Sequence, residues 1–306
     1  MKSTIIQTNK KAAFTIVELL TVMSIIVILI GLLVPALNSV RRYAAGVKQQ
    51  AQFNAMAAGL EMYRNDFEEY PDSKGIDLSG IPYCGAMKLA EAMVGQDLLG
   101  FHPQSTFQAN SSGLLYRLTD SVEYEASLAA RKDPYLPVDK VSVFQLDSIY
   151  PDTGTAFSPQ TAEMFVLTDV FKRAQNLGTT GPSKAGMPIL YFKASESGRY
   201  HDSAVVNIGT YSAPGNIYNY CDNQDIIDLQ LPGAPGSTDP DEMHVYGSST
   251  AGIEQFYNST EDVRIRDTTG GVGFRRPFRP ESFILISAGY DGRYGTSDDV
   301  TNFEQQ

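Results

Sequence analysis

The chain has no tryptophan, two cysteines and three histidines in 306 residues. The lack of tryptophan excludes no function, but the other two shortages do. Two cysteines, Cys84 and Cys221, are too few for a disulfide-built scaffold or a cysteine-rich zinc site. They are a candidate pair if the body lies outside the cytoplasm, against the alternative of two unrelated packed thiols. His102, His201 and His244 are scattered along the chain. No HExxH pair or other metal-ligand spacing joins them, so structural roles are expected. GxSxG and P-loop motifs are absent. The glycine-rich Gly270 to Phe274 lacks a full dinucleotide pattern and a strong preceding strand. Glu68 and Glu69 read as a solvated helix end rather than a glycosidase dyad. With no catalytic constellation, the expectation is a protein that is not an enzyme.

Basic charge is also scarce outside the amino-terminal segment. Residues 1–67 hold seven Lys/Arg against three Asp/Glu, which leaves 17 basic and 32 acidic residues and a formal charge of −15 on the rest. Phosphate binding needs clustered Lys and Arg, so no nucleic-acid partner is expected.

What is present is a long apolar run. Leu19 to Leu37 gives nineteen residues without a charge, dominated by Ile, Leu and Val, close to the length a helix needs to cross a bilayer. The helical pattern continues beyond it, because Val40, Tyr43, Ala44, Val47, Ala51, Met56, Leu60, Tyr63 and Phe67 recur mostly at three- and four-residue spacing. One helix over about 14–67 is predicted, spanning at 14–37 and amphipathic at 38–67, where it lies against a soluble domain. Pro35 removes one backbone hydrogen bond and Gly31 weakens the same turn, so a kink or a melted turn near Ile30 and Gly31 is expected. Lysines and arginines flank the run on both sides, and the positive-inside rule does not orient it.

Glu18 stands at the start of this run. A charge deep in a bilayer costs roughly 2.5 to 3.5 kcal/mol on insertion scales, so it needs a partner or the headgroup layer. The order of a basic leader, a small residue, then Phe14, Thr15, Ile16, Val17, Glu18, Leu19 and Leu20, with a proline near the end of the span, resembles the amino terminus of type IV pilins and of the pseudopilins of type II secretion. The resemblance implies that a prepilin peptidase cuts between Ala13 and Phe14, releasing a leader over 1–13, and methylates the new amino group of Phe14. The family usually has Gly before the cut, and this chain has Ala13. By the same resemblance Glu18 pairs with the amine of a neighbouring subunit and sets register in a helical homo-polymer, and Pro35 allows local melting. Reaching the headgroups from the end of the span is the alternative for Glu18.

The body over 68–306 begins with Pro and Gly in Glu68 to Gly75, which end the long helix. A short helix is predicted at Ala86 to Leu99 and a weaker one at Glu123 to Lys132. Strands are predicted at Met164 to Phe171, Pro188 to Ala194 and Phe283 to Gly289. A long helix packed on an antiparallel sheet is an α+β arrangement, and the resemblance implies a pilin-like one. The resemblance covers about the first seventy residues and the last twenty-five, and leaves 100–280 unexplained.

An acidic loop over 288–303 follows the last predicted strand. Asp291, Asp298 and Asp299 surround Gly292 and Gly295, and calcium favours six to eight oxygen ligands. The spacing is not that of an EF-hand. The loop resembles the calcium-binding loop near the carboxyl terminus of the major pseudopilin family, which makes those three aspartates the ligand candidates for Ca2+. A solvated turn closing the sheet is the alternative.

Taken together, the expectation is a pilin-like filament subunit, a major pseudopilin of a type II secretion system. It is single-pass in a bacterial inner membrane with its body in the periplasm, and it works with the prepilin peptidase and an inner-membrane assembly platform. A surface type IV pilin or minor pilin is one alternative. A membrane-anchored periplasmic enzyme or ligand-binding protein, marked by a polar pocket in 100–280, is another.

Overall fold

A computed structural model describes residues 15–109, 115–116, 120–138, 140–150, 157–172, 174–176, 183–232, 239, 242–265 and 275–303. The chain divides into two compact units, Met1–Ala44 and Ala45–Gln306. One helix, α1 (Ile16–Phe67), contributes to both.

In the first unit every described residue, 15–44, is exposed. This stretch of α1 is long and apolar enough to cross a membrane. Of the expected kink or melted turn, the melted turn is not there: the helix runs unbroken through Ile30, Gly31 and Pro35. A single missing hydrogen bond does not unwind a helix whose flanking turns are intact. The helix ends at Glu68, whose φ of 68° is left-handed and whose N–H donates to the Arg64 carbonyl at 2.7 Å, with Pro71 preventing continuation.

In the second unit the buried face of α1 is Gln49, Gln52, Phe53, Met56, Gly59, Leu60 and Tyr63. It differs from the expected stripe: Val47 and Ala51 are exposed, and two glutamines take the buried positions. Gly59 is needed for contact, since a Cβ there would lie 2.9 Å from the Met93 sulfur and 3.3 Å from the Tyr135 carbonyl. The Tyr63 ring packs edge-on against Phe101 and Tyr135.

Helix α2 (Gly85–Val94) is buried at all ten residues. It stops five residues short of the expected end because Gly95, at φ 83°, turns the chain where any Cβ would meet the Gly100 carbonyl at 2.2 Å. Its two buried charges are satisfied. Lys88 Nζ lies 2.5 Å from Asp72 Oδ2 and donates to the Ile76 carbonyl. The Glu91 carboxylate accepts from the Tyr83 hydroxyl, Gln96 Nε2 and Ser105 Oγ. Helix α3 (Ser121–Ala130) starts two residues earlier than expected because Asp120 caps it through Val122 and Glu123 N–H. The remaining helices are short: α4 (Leu146–Ile149), α5 (Pro159–Ala162), α6 (Gln224–Asp228) and α7 (Thr250–Ser259).

Among the described residues, three small antiparallel sheets complete the α+β body. Strands β1 (Ser142–Gln145) and β2 (Phe165–Thr168) pair with Val143 opposite Leu167. Strands β3 (Ala174–Asn176) and β4 (Ser183–Ala185) form a second pair. Strands β5 (Leu190–Lys193), β6 (Phe283–Ser287) and β7 (Val300–Thr301) form the third sheet in that order. A bridge from Thr168 to Pro188 and an Ile189 N–H bond to the Leu167 carbonyl at 2.8 Å join the end of β2 to the start of β5. The three predicted strands thus correspond to β2, β5 and β6, each shorter than its apolar run, and β6 is buried at all five positions.

Candidate functional site

Two regions hold the residues singled out by sequence. The cleavage pair, Ala13 and Phe14, lies outside the described residues, as does Gly270 to Phe274. Glu18 is described and forms a capping box. Its Oε2 accepts from the Thr15 N–H at 2.9 Å and the Thr15 hydroxyl at 2.8 Å, while the Glu18 N–H donates to Thr15 Oγ1 at 3.2 Å. One carboxylate oxygen therefore closes the first turn of α1, and the other has no hydrogen bond among the described residues. The sequence T-x-x-E carried this signal as plainly as the family string did. Pro35 lies within the uninterrupted helix, and its carbonyl accepts from Ser39 Oγ at 3.3 Å.

In the acidic loop each aspartate first serves the backbone. Asp291 Oδ1 accepts from Arg293 N–H, Asp298 Oδ2 from Asp291 N–H, and Asp299 Oδ2 from Gly295 N–H. Asp298 Oδ1 also accepts from Thr296 Oγ1 at 2.6 Å. Gly289, Gly292 and Gly295 all have positive φ. At Gly295 a Cβ would strike the Tyr246 ring at 2.6 Å. The loop docks through Arg293 Nε on the Met243 carbonyl, through Val245 and Tyr246 N–H on the Tyr294 carbonyl, and through the Tyr294 hydroxyl on the Pro188 carbonyl.

Its electrostatics are those of acids held near one another. Burial, then the charges of Asp291 and Asp298, push the Asp299 carboxyl well above the usual range. Burial also raises Asp291. Asp298 is lowered: burial opposes this, but the Thr296 hydroxyl and Asp291 N–H outweigh it. Asp299 Oδ1 is buried without a hydrogen-bond partner among the described residues. Among the described residues no three Asp, Glu, His or Cys groups stand close enough to hold a metal ion. The donor chemistry and the orphaned Asp299 oxygen fit a hard cation, whereas the side chains as placed do not form a ligand shell.

The candidate cysteine pair is not formed. Cys84 and Cys221 are both free and buried. Cys84 precedes α2, and Cys221 Sγ points to the Asn207 carbonyl at 3.8 Å. Burial raises both thiols, Cys221 to about 12, so neither is a ready thiolate.

The three histidines are buried. Burial lowers His201 to about 4 and His244 to about 3. Glu68 and Glu69 are exposed at the helix end, and Glu69 pairs with Lys193 at 2.7 Å. A cavity of about 640 Å³ opens beside the end of β5, with Glu196, Arg199, Arg276 and Glu281 among its lining.

Sequence reasoning missed Gln49 and Gln52. The Gln49 side-chain oxygen accepts from Val170 N–H at 3.0 Å, and Gln52 Nε2 donates to the Thr168 carbonyl at 2.9 Å. Their i, i+3 spacing was the available signal, hidden because they are polar. The chain matches no protein-family model, no curated protein and no solved structure.

Proposed function

We propose that this chain is a pilin-like filament subunit of the kind that forms the pseudopilus of a type II secretion system, anchored in the inner membrane before assembly. The observation that carries the reading is a helix that is exposed at every described residue over 15–44, with an uncharged and mostly apolar run from Leu19 to Leu37, and then buries one face in an α+β body. An exposed apolar surface of that size needs lipid or other copies of itself. In the filament the first stretch of α1 packs among its neighbours, and Glu18 offers its unbonded oxygen to the amine of Phe14 on an adjacent subunit. In low-dielectric surroundings such a pair sets register, because a misaligned copy leaves a charge unpaired. Pro35 eases extraction from the bilayer by weakening one turn. Asp291, Asp298 and Asp299 would hold Ca2+, which would neutralise their mutual repulsion and tie the loop to the sheet. The test is assembly in cells supplying the peptidase and platform: Glu18→Gln should abolish filaments while the precursor still inserts. Normal filaments from that variant would overturn the registry role.

The capping box favours a second reading, in which Glu18 only starts the helix and α1 anchors a body that never polymerises. In that case Glu18→Gln, which keeps an acceptor for Thr15, would leave membrane insertion intact and no filament would form from either chain.

A further inference from the structure

Where the apolar run of α1 ends, the chain turns polar within two turns of helix. Asn38 and Ser39 follow Leu37, and Val40, Arg41, Arg42 and Tyr43 come next. All six are exposed, Tyr43 at 77%. Acids are missing from this part of the sequence: between Glu18 and Glu61 there is no Asp or Glu, and the charged residues there are Arg41, Arg42 and Lys48. The residues beyond 67 have the opposite balance, 17 basic against 32 acidic.

Helix geometry sets the arrangement of the basic residues, since α1 is continuous through them. At about 1.5 Å of rise and about 100° of turn per residue, Arg41, Arg42 and Tyr43 advance only about 3 Å along the axis while fanning through about 200°. They make a collar at one depth rather than a stripe down one face. A partner helix touches residues three and four apart on one face, so it would meet only part of such a collar, whereas a layer crossing the helix axis meets all of it. The depth also fits a bilayer. Leu19 to Leu37 covers about 27 Å of rise, close to the roughly 30 Å of a hydrocarbon core. Arg41 then lies about 6 Å past Leu37, within the headgroup layer that adds about 5 to 7 Å on each side.

The side chains suit that layer. A guanidinium keeps its charge and presents a planar fork of donors that matches a phosphate. A tyrosine ring at this depth sets its apolar body toward the lipid tails and its hydroxyl toward water. From this arrangement we infer that Arg41, Arg42 and Tyr43 form a headgroup-binding collar that selects anionic phospholipids, in which no ammonium group offsets the phosphate charge. Anionic lipid attracts the collar and repels the acidic residues beyond 67, so both effects hold α1 at one depth. The inference rests on the membrane-anchored part of the proposed function and is independent of polymerisation.

Native mass spectrometry of the full-length protein in detergent with equimolar phosphatidylglycerol and phosphatidylcholine tests it. The wild type should retain phosphatidylglycerol in preference, each arginine contributing about fivefold. Arg41→Gln combined with Arg42→Gln should remove the preference. Lys74→Gln combined with Lys184→Gln, which takes the same charge from exposed positions of the body, should leave it intact. A preference that survives in the arginine variant, is lost equally in the lysine variant, or is absent from the wild type overturns the collar. Flotation of the wild type with phosphatidylcholine vesicles separates that failure from failure of the anchor. A chain that does not float contradicts the anchor and the collar with it, whereas one that floats without a lipid preference contradicts the collar alone.

Discussion

The two ends of α1 share one backbone conformation and meet opposite environments. Over 15–44 isoleucines, leucines and valines are all exposed, while over 45–67 two glutamines are buried beside Phe53, Met56 and Leu60. Hydrophobicity alone does not decide burial within one chain. The first stretch has apolar surface that none of the described residues covers. The second buries amides because a sheet edge presents a carbonyl and an N–H that need partners.

The largest test of this contrast is truncation on each side. Leu60→Ala, at a fully buried position, should cost the body roughly 3 to 5 kcal/mol by cavity formation. Ile28→Ala, at an exposed one, should leave the body's denaturant midpoint unchanged. Equal losses would break the comparison.

The next effect belongs to the body's acids. Burial raises Asp225 to about 6, above its ordinary value. Its contribution is present below pH 4 and is lost as pH rises through about 6, up to roughly 3 kcal/mol. Asp225→Asn should flatten that part of the stability curve in denaturation between pH 4 and 7. An unchanged curve would mean that the buried carboxyl is already charged when folded.

Smaller still is the amide grip. Gln52→Ala leaves the Thr168 carbonyl without its bond and should cost roughly 1 to 2 kcal/mol. A change near zero would show that solvent satisfies that carbonyl. The smallest effect expected is that of calcium. Millimolar Ca2+ should raise the melting temperature by a few degrees, and by less in Asp299→Asn, following the linkage of ion binding to folding. No calcium effect in the wild type would leave the loop as a self-contained turn.

These contrasts also mark what the sequence made legible. Runs such as Phe283–Ser287 announce themselves because the first four of the five residues are apolar, and all five are buried. The long helix was visible in its periodicity. Strand β1 was not, because its four residues are only half-buried and their pairing with β2 lies 20 to 26 residues away. Gln49 and Gln52 escaped because an apolar pattern cannot reveal a polar residue buried for its hydrogen bonds. The acidic loop was legible as a turn built on glycines. Whether its carboxylates converge depended on which backbone N–H each one takes, which spacing does not encode.

The most direct test of the central claim, that the exposed stretch of α1 is processed for assembly, is the intact mass of the protein recovered from membranes of cells carrying a prepilin peptidase. The account predicts a chain beginning at Phe14 with one added methyl group. Full-length chain with Met1 and its lysines retained would contradict it.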